Sequence, residues 1–293
     1  PGATIGVEGS SSFGAPIARL LVARGFAVRE VPPQLSRRER SRTRRAGKSD
    51  PGDALAIARV TAADSNLPPV RLTDRTTDIA LLVEAREDLV AEMTRVRNRL
   101  HADLCVLAPG YGETAANLVA VRHQQIVAHI LRRMRGVHAE LARVRLARLR
   151  QLGHEEHELV ERLSELVAGH PLLRLPGAGP LTTAKLVAET GDVTRFRSAD
   201  AFAALAGVAP IPASSGQTSR MRLNRGGNRQ LNRALYSIAL SQAFHHEPAQ
   251  KYIARRRAEG KSWREAIRCL KRQLIRTVFS LLLEGAKSHQ LAA

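Results

Sequence analysis

Three consecutive stretches decide the fold class of the first part of this chain: Ala3-Thr4-Ile5-Gly6-Val7, then Pro16-Ile17-Ala18-Arg19-Leu20-Leu21-Val22-Ala23-Arg24, then Phe26-Ala27-Val28-Arg29-Glu30-Val31. Residues 3 to 8 read as a short buried strand, and Ser10 to Gly14 as a turn. The apolar run 16–24 reads as a helix ended by Gly25, and 26–31 as a second strand closed by Pro32-Pro33. Strand, helix and strand in that order predict an α/β layer. The chain opens at Pro1 without an initiator Met, and strand residues follow at once, so the sequence reads as truncated upstream.

Working outward, Ser36 to Lys48 carries six arginines and one lysine against Glu39, with no apolar periodicity. It reads as a mobile, solvated loop able to touch phosphate. Asp50 then starts a helix, with Asp50 at the N-cap, Pro51 in the first turn and Asp53 at the third helical position. Spacing alone assigns these two aspartates to capping.

From Asp74 to Leu104 the pattern is helical, with Ile79, Leu82, Leu89, Met93, Val96 and Leu100 at steps of three and four. After Pro109-Gly110 it resumes with Ile126, Ile130, Met134, Val137, Leu141 and Val144, and then with Leu159, Leu163 and Leu166. Long packed helices or a coiled coil follow. Near Pro171 a third region begins. Leu175-Pro176-Gly177-Ala178-Gly179 ahead of Leu181-Thr182-Thr183-Ala184 resembles the hairpin of a helix–hairpin–helix module, where Gly177 and Gly179 would let a phosphate approach a helix N-terminus. A plain helix–turn–helix corner is the rival reading.

The charge decides the partner class. The 293 residues carry a net charge of +19. Self-repulsion of that size is relieved by a polyanion, and lysines and arginines gain affinity by releasing counterions from phosphates. The segment Gln217 to Leu235 holds Arg220, Arg222, Arg225, Arg229 and Arg233 with no acid, and Lys251 to Arg276 adds ten basic residues against Glu259 and Glu265. The expected partner is nucleic acid. In the tail, Ile253, Trp263, Ile267, Leu270, Leu274 and Val278 read as the apolar side, which puts Trp263 in the core. Aromatics are only 3%, so the cores are built from Leu, Val, Ala and Ile. Cys105 and Cys269 have no metal-type spacing, and no apolar run reaches membrane-spanning length, so a reducing, cytoplasmic, nucleoid-associated setting without a membrane is expected.

Two passages resemble a known family. One is Lys48-Ser49-Asp50-Pro51-Gly52-Asp53-Ala54, about 40 residues after Val7-Glu8. The other runs from Leu173-Arg174-Leu175-Pro176-Gly177-Ala178-Gly179 through Glu189-Thr190-Gly191-Asp192, Arg195-Phe196 and Leu205-Ala206-Gly207-Val208-Ala209-Pro210 to Ser214-Ser215-Gly216 and Arg225-Gly226-Gly227-Asn228-Arg229. This order resembles the DEDD transposases of bacterial insertion sequence family 110 over almost the whole chain.

The resemblance implies an α/β plus α architecture. It consists of an incomplete RuvC-like (ribonuclease-H-like) domain at 1–73, a helical coiled-coil insertion at 74–168, and a mainly α C-terminal transposase domain at 169–293. It implies a recombinase that cleaves and rejoins DNA with a bridge RNA, as a dimer or tetramer. Glu8, Asp50 and Asp53 match three of the four acidic residues that hold Mg²⁺ in that family. The fourth lies on an upstream strand that this sequence lacks. Clustered carboxylates position such ions against charge developing on phosphate oxygens.

The family's nucleophilic serine matches Ser215, with Ser214 as the fallback. Arg220, Arg222 and Arg225 would stabilise the reacting phosphate, while Arg229, Gly177 and Gly179 would join them in binding nucleic acid. Two rival expectations are a catalytically inactive nucleic-acid-binding remnant and a metal-only RuvC-like junction nuclease.

Overall fold

The computed structural model describes residues 3–10, 13–42, 49–70, 75–212, 221–222, 224 and 226–290. It is mostly helical, with a small parallel sheet near its start, and it divides into two compact units, Pro1–Arg75 and Thr76–Ala293.

In the first unit, β1 (Thr4–Val7) pairs in parallel with β2 (Ala27–Glu30), Thr4 opposite Ala27 and Val7 opposite Glu30. A parallel pair needs a crossover, and α1 (Ala15–Ala23) supplies it. Ala18 of that helix is fully buried against Val7 and Val28. The strand–helix–strand reading of 3–31 is therefore found in place. A further extended segment borders β2 on its other side through an antiparallel bridge between Arg29 and Pro69.

The basic stretch departs from the expected loop. Residues 33–42 form α2 (Pro33–Arg42), and 43–48 lie outside the described residues. Pro33 opens the helix, arginine is a good helix former, and Leu35 packs with Val31, Val60, Leu67 and Ile57. One apolar anchor and a fully buried Ser36 hold down a helix whose other faces are charged. The next helix, α3 (Asp50–Ala63), starts one residue earlier than the spacing suggests. Ser49 is its N-cap and accepts from the Gly52 amide at 3.4 Å, which leaves Asp50 and Asp53 inside the first turn. Carboxylates there are favoured by the helix dipole.

The second unit begins with long helices. α4 (Arg75–Leu107) and α6 (Val137–Leu166) flank the shorter α5 (Val121–Arg132). Leu100, Leu104, Val127, Leu131, Leu146 and Leu149 make their shared core. Across it Arg145 pairs with Asp103, and Arg148 reaches Glu92 at 2.9 Å. The apolar seam read through Val137, Leu141 and Val144 is not the buried one. Gly136, at φ 99°, breaks the helix before Val137 and resets the face. The inward residues of α6 are Ala139, Ala142, Leu146, Leu149, Leu152 and Leu163, while Val137 and Val144 are 71% and 65% exposed.

A second, larger core follows. A 3-10 turn at Pro171–Arg174 leads into α7 (Pro180–Thr190) and α8 (Ala199–Leu205). A short antiparallel pair comes next, β3 (Ile211–Pro212) with β4 (Met221–Arg222). Then come α9 (Arg229–His245), α10 (Glu247–Ala258) and α11 (Trp263–Gln290). Asn228 caps α9 by accepting from the amides of Gln230 and Leu231, both at 2.9 Å. Phe202, Leu231, Leu235, Ile238, Ile267 and Ile275 are buried to 2% or less at its centre. Of the expected apolar side of the tail, Ile253, Ile267, Leu270, Leu274 and Val278 are buried. Trp263 is not. It is 38% exposed at the first turn of α11. No described helix is long and apolar enough to cross a membrane.

Candidate functional site

In the first unit the acidic residues sit around α2. Glu8 follows β1, and its carboxylate accepts from the buried Ser36 hydroxyl at 2.5 Å. Asp53, half-buried on α3, is ion-paired with Arg40 of α2 at 2.9 Å. Asp50 is exposed at the start of α3. At the end of β2, Glu30 accepts from the amides of Gly9 and Ser10 at 3.1 and 3.0 Å, which closes the turn after β1. The expected convergence of Glu8, Asp50 and Asp53 is not found. Among the described residues no group of three or more His, Cys, Asp or Glu side chains could hold a metal ion. Glu8 and Asp53 each have their own partner on α2, Ser36 and Arg40.

In the second unit the positive charge is concentrated. A cleft of about 720 Å³ opens beside β4, and Arg222 and Arg229 line it from the β4–α9 side. Arg256, Lys261, Arg268, Lys271 and Arg272 line it from α10, α11 and the turn between them, with Glu265 the one carboxylate in the described lining. Two cations on its wall stand out, one without a carboxylate partner among the described residues and one with a nitrogen left unpartnered. Lys271 is only 8% exposed, and it donates to the Asn232 side chain at 2.7 Å. Burial, with the nearby Arg268 charge, holds its pKa below the ordinary lysine value. Arg272 donates from Nη2 to Asp200 at 2.5 Å, while its Nη1 is buried with no hydrogen-bond partner. A buried cationic donor left unsatisfied is costly.

Two glycine segments shape this cleft. Gly207, at φ 67°, packs against Gly227, where a Cβ would lie 2.3 Å from the Gly207 Cα. The Asn228 amide donates to the Leu205 carbonyl at 2.6 Å beside this contact. Ala and every larger residue are therefore excluded at Gly227 unless the backbone moves.

Ser214, Ser215, Arg220 and Arg225 lie outside the described residues. Their segment is bracketed by paired residues, since Pro212 lies opposite Met221. Of the expected nucleic-acid contacts, Arg222 and Arg229 line the cleft. Gly177 packs against α9. At φ 84°, its missing Cβ would meet Ser241 Cβ at 3.0 Å and the Ile238 carbonyl at 3.1 Å, so its small size serves packing on α9. Gln242 donates to the Pro176 carbonyl at 2.7 Å and fixes the same corner. Gly179 is exposed at the N-cap of α7, without a side-chain cap.

Comparison with known proteins accounts for both halves. A transposase family model for the DEDD proteins of IS110 matches residues 2–109, and a model described as the transposase IS116/IS110/IS902 family matches 169–254. A 43.6 kDa protein of insertion element IS110 from Streptomyces coelicolor is 30% identical, over 95% of this chain and 81% of the relative. The chain belongs to the IS110 family of transposases. A 42 kDa protein of IS900 from Mycobacterium paratuberculosis is 27% identical over 92% of the chain and 80% of its own length. The transposase of IS1328 from Yersinia enterocolitica is 25% identical over 76% of the chain and 66% of its own length.

Membership of the IS110 family implies DNA transposition, and so a DNA partner. The acidic residues around α2 fall in the IS110-type DEDD match, while the cleft lining from Gly207 to Tyr252 falls inside the C-terminal match and the rest beyond its end. The IS110-type motifs did not reveal Arg256, Arg268, Lys271 and Arg272, which lie past residue 254. The signal for them was the density of basic residues from Lys251 to Arg276, which the sequence shows without singling these four out.

Proposed function

We propose that this IS110-family transposase cleaves and rejoins DNA through a serine nucleophile in the segment between β3 and β4, Ser215 with Ser214 as the alternative. The cationic cleft beside β4 is proposed to hold the flanking phosphates. The observation that carries this reading is the cleft itself: seven lysines and arginines against one glutamate, with Lys271 buried and Arg272 Nη1 unpartnered.

In the proposed chemistry the serine oxygen attacks a DNA phosphorus. A phosphoserine bond forms as the bond to the departing sugar oxygen breaks, and that oxygen leaves with a proton. Attack by a strand hydroxyl reverses the step onto a new strand. The phosphodiester bond energy is conserved, so no nucleotide cofactor is needed. Arg222, with Arg220 and Arg225, is proposed to stabilise the charge on the five-coordinate phosphorus.

The family typically depends on a metal. Glu8, Asp50 and Asp53 of the proposed RuvC-like first domain are the candidate carboxylates for Mg²⁺, which prefers oxygen donors. A bridge RNA and further copies of the chain are proposed partners.

The test is a covalent trap. With nicked or suicide DNA substrates carrying the element's ends, the wild-type chain is expected to form a protein–DNA adduct that survives denaturation. Ser215→Ala should abolish the adduct while DNA binding persists. An adduct unchanged in both Ser215→Ala and Ser214→Ala rejects the serine mechanism.

A further inference from the structure

The exposed aromatic pair Phe244 and Trp263 has no role in the chemistry proposed above. Phe244 is 61% exposed near the end of α9, and Trp263 is 38% exposed at the first turn of α11. Their ring centroids are 6.3 Å apart and tilted by 44°, so together they present one aromatic surface to solvent. This surface is rigidly mounted. Ser262 and Glu265 form a reciprocal capping box around Trp263, with the Ser262 amide donating to the Glu265 carboxylate at 2.9 Å and its hydroxyl at 2.7 Å. The Ser262 hydroxyl in turn accepts from the Glu265 amide at 3.4 Å. On the other side, Gln250 donates to the Phe244 carbonyl at 2.9 Å and fixes the corner between α9 and α10.

The surface adjoins the cationic cleft. Lys261 and Glu265, two residues either side of Trp263, both line it. Exposed rings on a fixed backbone beside a row of cations are the two parts of a site for single-stranded nucleic acid: cations follow the phosphates and ring faces stack on bases. A duplex keeps its bases stacked inside and offers only the first. We infer that Phe244 and Trp263 form a stacking platform for an unpaired DNA base, next to the strand whose phosphates enter the cleft. The inference rests on the DNA-handling role proposed for that cleft and adds the state of the DNA that it takes.

The chain has a single tryptophan, so its fluorescence reports on this one place. Trp263 emission is followed while the full chain is titrated with a single-stranded DNA oligonucleotide. The controls are the same length of blunt duplex, an abasic strand with identical phosphates, and the matching RNA. Anisotropy of labelled strands gives affinity in parallel. The single-stranded DNA should quench Trp263, and the abasic strand and duplex should bind with little quenching. Phe244→Ala, at an exposed position and checked for folding by circular dichroism, should weaken the base-bearing strand about tenfold and leave the abasic strand unchanged.

Binding without quenching, or equal quenching by the abasic strand, overturns the platform while leaving the cleft intact. Quenching by RNA alone overturns the DNA assignment. A blue shift with rising protein concentration and no nucleic acid gives the surface to a second copy instead. Failure of every strand to bind rejects the proposed DNA-handling role itself.

Discussion

Arg40 and Asp53 are joined by an ion pair of 2.9 Å that ties α2 to the first turn of α3. The same helix reaches Glu8 through the Ser36 hydroxyl. A basic helix thus occupies two of the carboxylates proposed to hold metal. If Asp53 is a metal ligand, Arg40 competes with the cation for it. Arg40→Gln is then expected to raise Mn²⁺ affinity about fivefold, the equivalent of roughly 1 kcal/mol for a partly exposed pair. Stability should change by less than about 1 kcal/mol. Mn²⁺ titration followed by electron paramagnetic resonance, with thermal unfolding beside it, reads both. An unchanged Mn²⁺ affinity would remove Asp53 from the ligand set.

Gly227→Ala places a methyl group 2.3 Å from the Gly207 Cα, too close for any side-chain adjustment to relieve. The β4–α9 segment must shift, and Arg229 shifts with it. The expected cost is about 1–3 kcal/mol in denaturant unfolding, with weakened DNA binding. Stability and binding both at wild-type level would show that the two glycines do not meet in solution.

The cleft cations should differ from other surface cations in the salt dependence of binding. Arg229→Ala and Arg268→Ala are each expected to lower the slope of log affinity against log salt by about 1. Arg132→Ala, at an exposed position near the end of α5, should leave it unchanged. Anisotropy titrations across a salt series measure this, and three identical slopes would reject the cleft as the phosphate track.

Lys271 should give the protein a rise in stability with pH. Burial lowers its pKa from 10.5 in the fold, so the unfolded chain binds more protons in the window between the folded value and 10.5. Stability then increases as pH climbs through that window, because the cost of burying the charge disappears. The difference between wild type and Lys271→Met in unfolding free energy should vary over this range and be flat well below it. Carbon NMR of lysine Cε should show the Lys271 pKa rising once an oligonucleotide brings phosphate close. A Lys271 that titrates at the ordinary value in the free protein would contradict this account.

Much of the fold was legible because local patterns carried it. The strand–helix–strand order, the break at Pro109-Gly110 and most of the apolar face of α11 follow from periodicity and end signals that need no distant partner. The misreadings share a cause. Residues 36–42 lacked apolar periodicity, yet a single anchor, Leu35, packed on α3 holds α2 down. Val137, Leu141 and Val144 continued a seam numerically, but Gly136 turned the helix so that alanines and leucines face inward. Trp263 looked like core by spacing and sits instead in the first turn, where the helix face has not yet met its neighbours.

The sequence by itself determined the family, the cationic character and the order of the elements, since motifs, charge and periodicity are all properties of residues along the chain. Only the tertiary structure decided where the charges meet. Gly207 lies against Gly227, Lys271 against Asn232, and Arg272 against Asp200, pairs separated by 20 to 72 residues. Such contacts depend on how helices cross in space, and no spacing along the chain encodes that crossing. For the same reason the pattern brought Glu8, Asp50 and Asp53 together on paper, while packing gave Glu8 and Asp53 separate partners on α2.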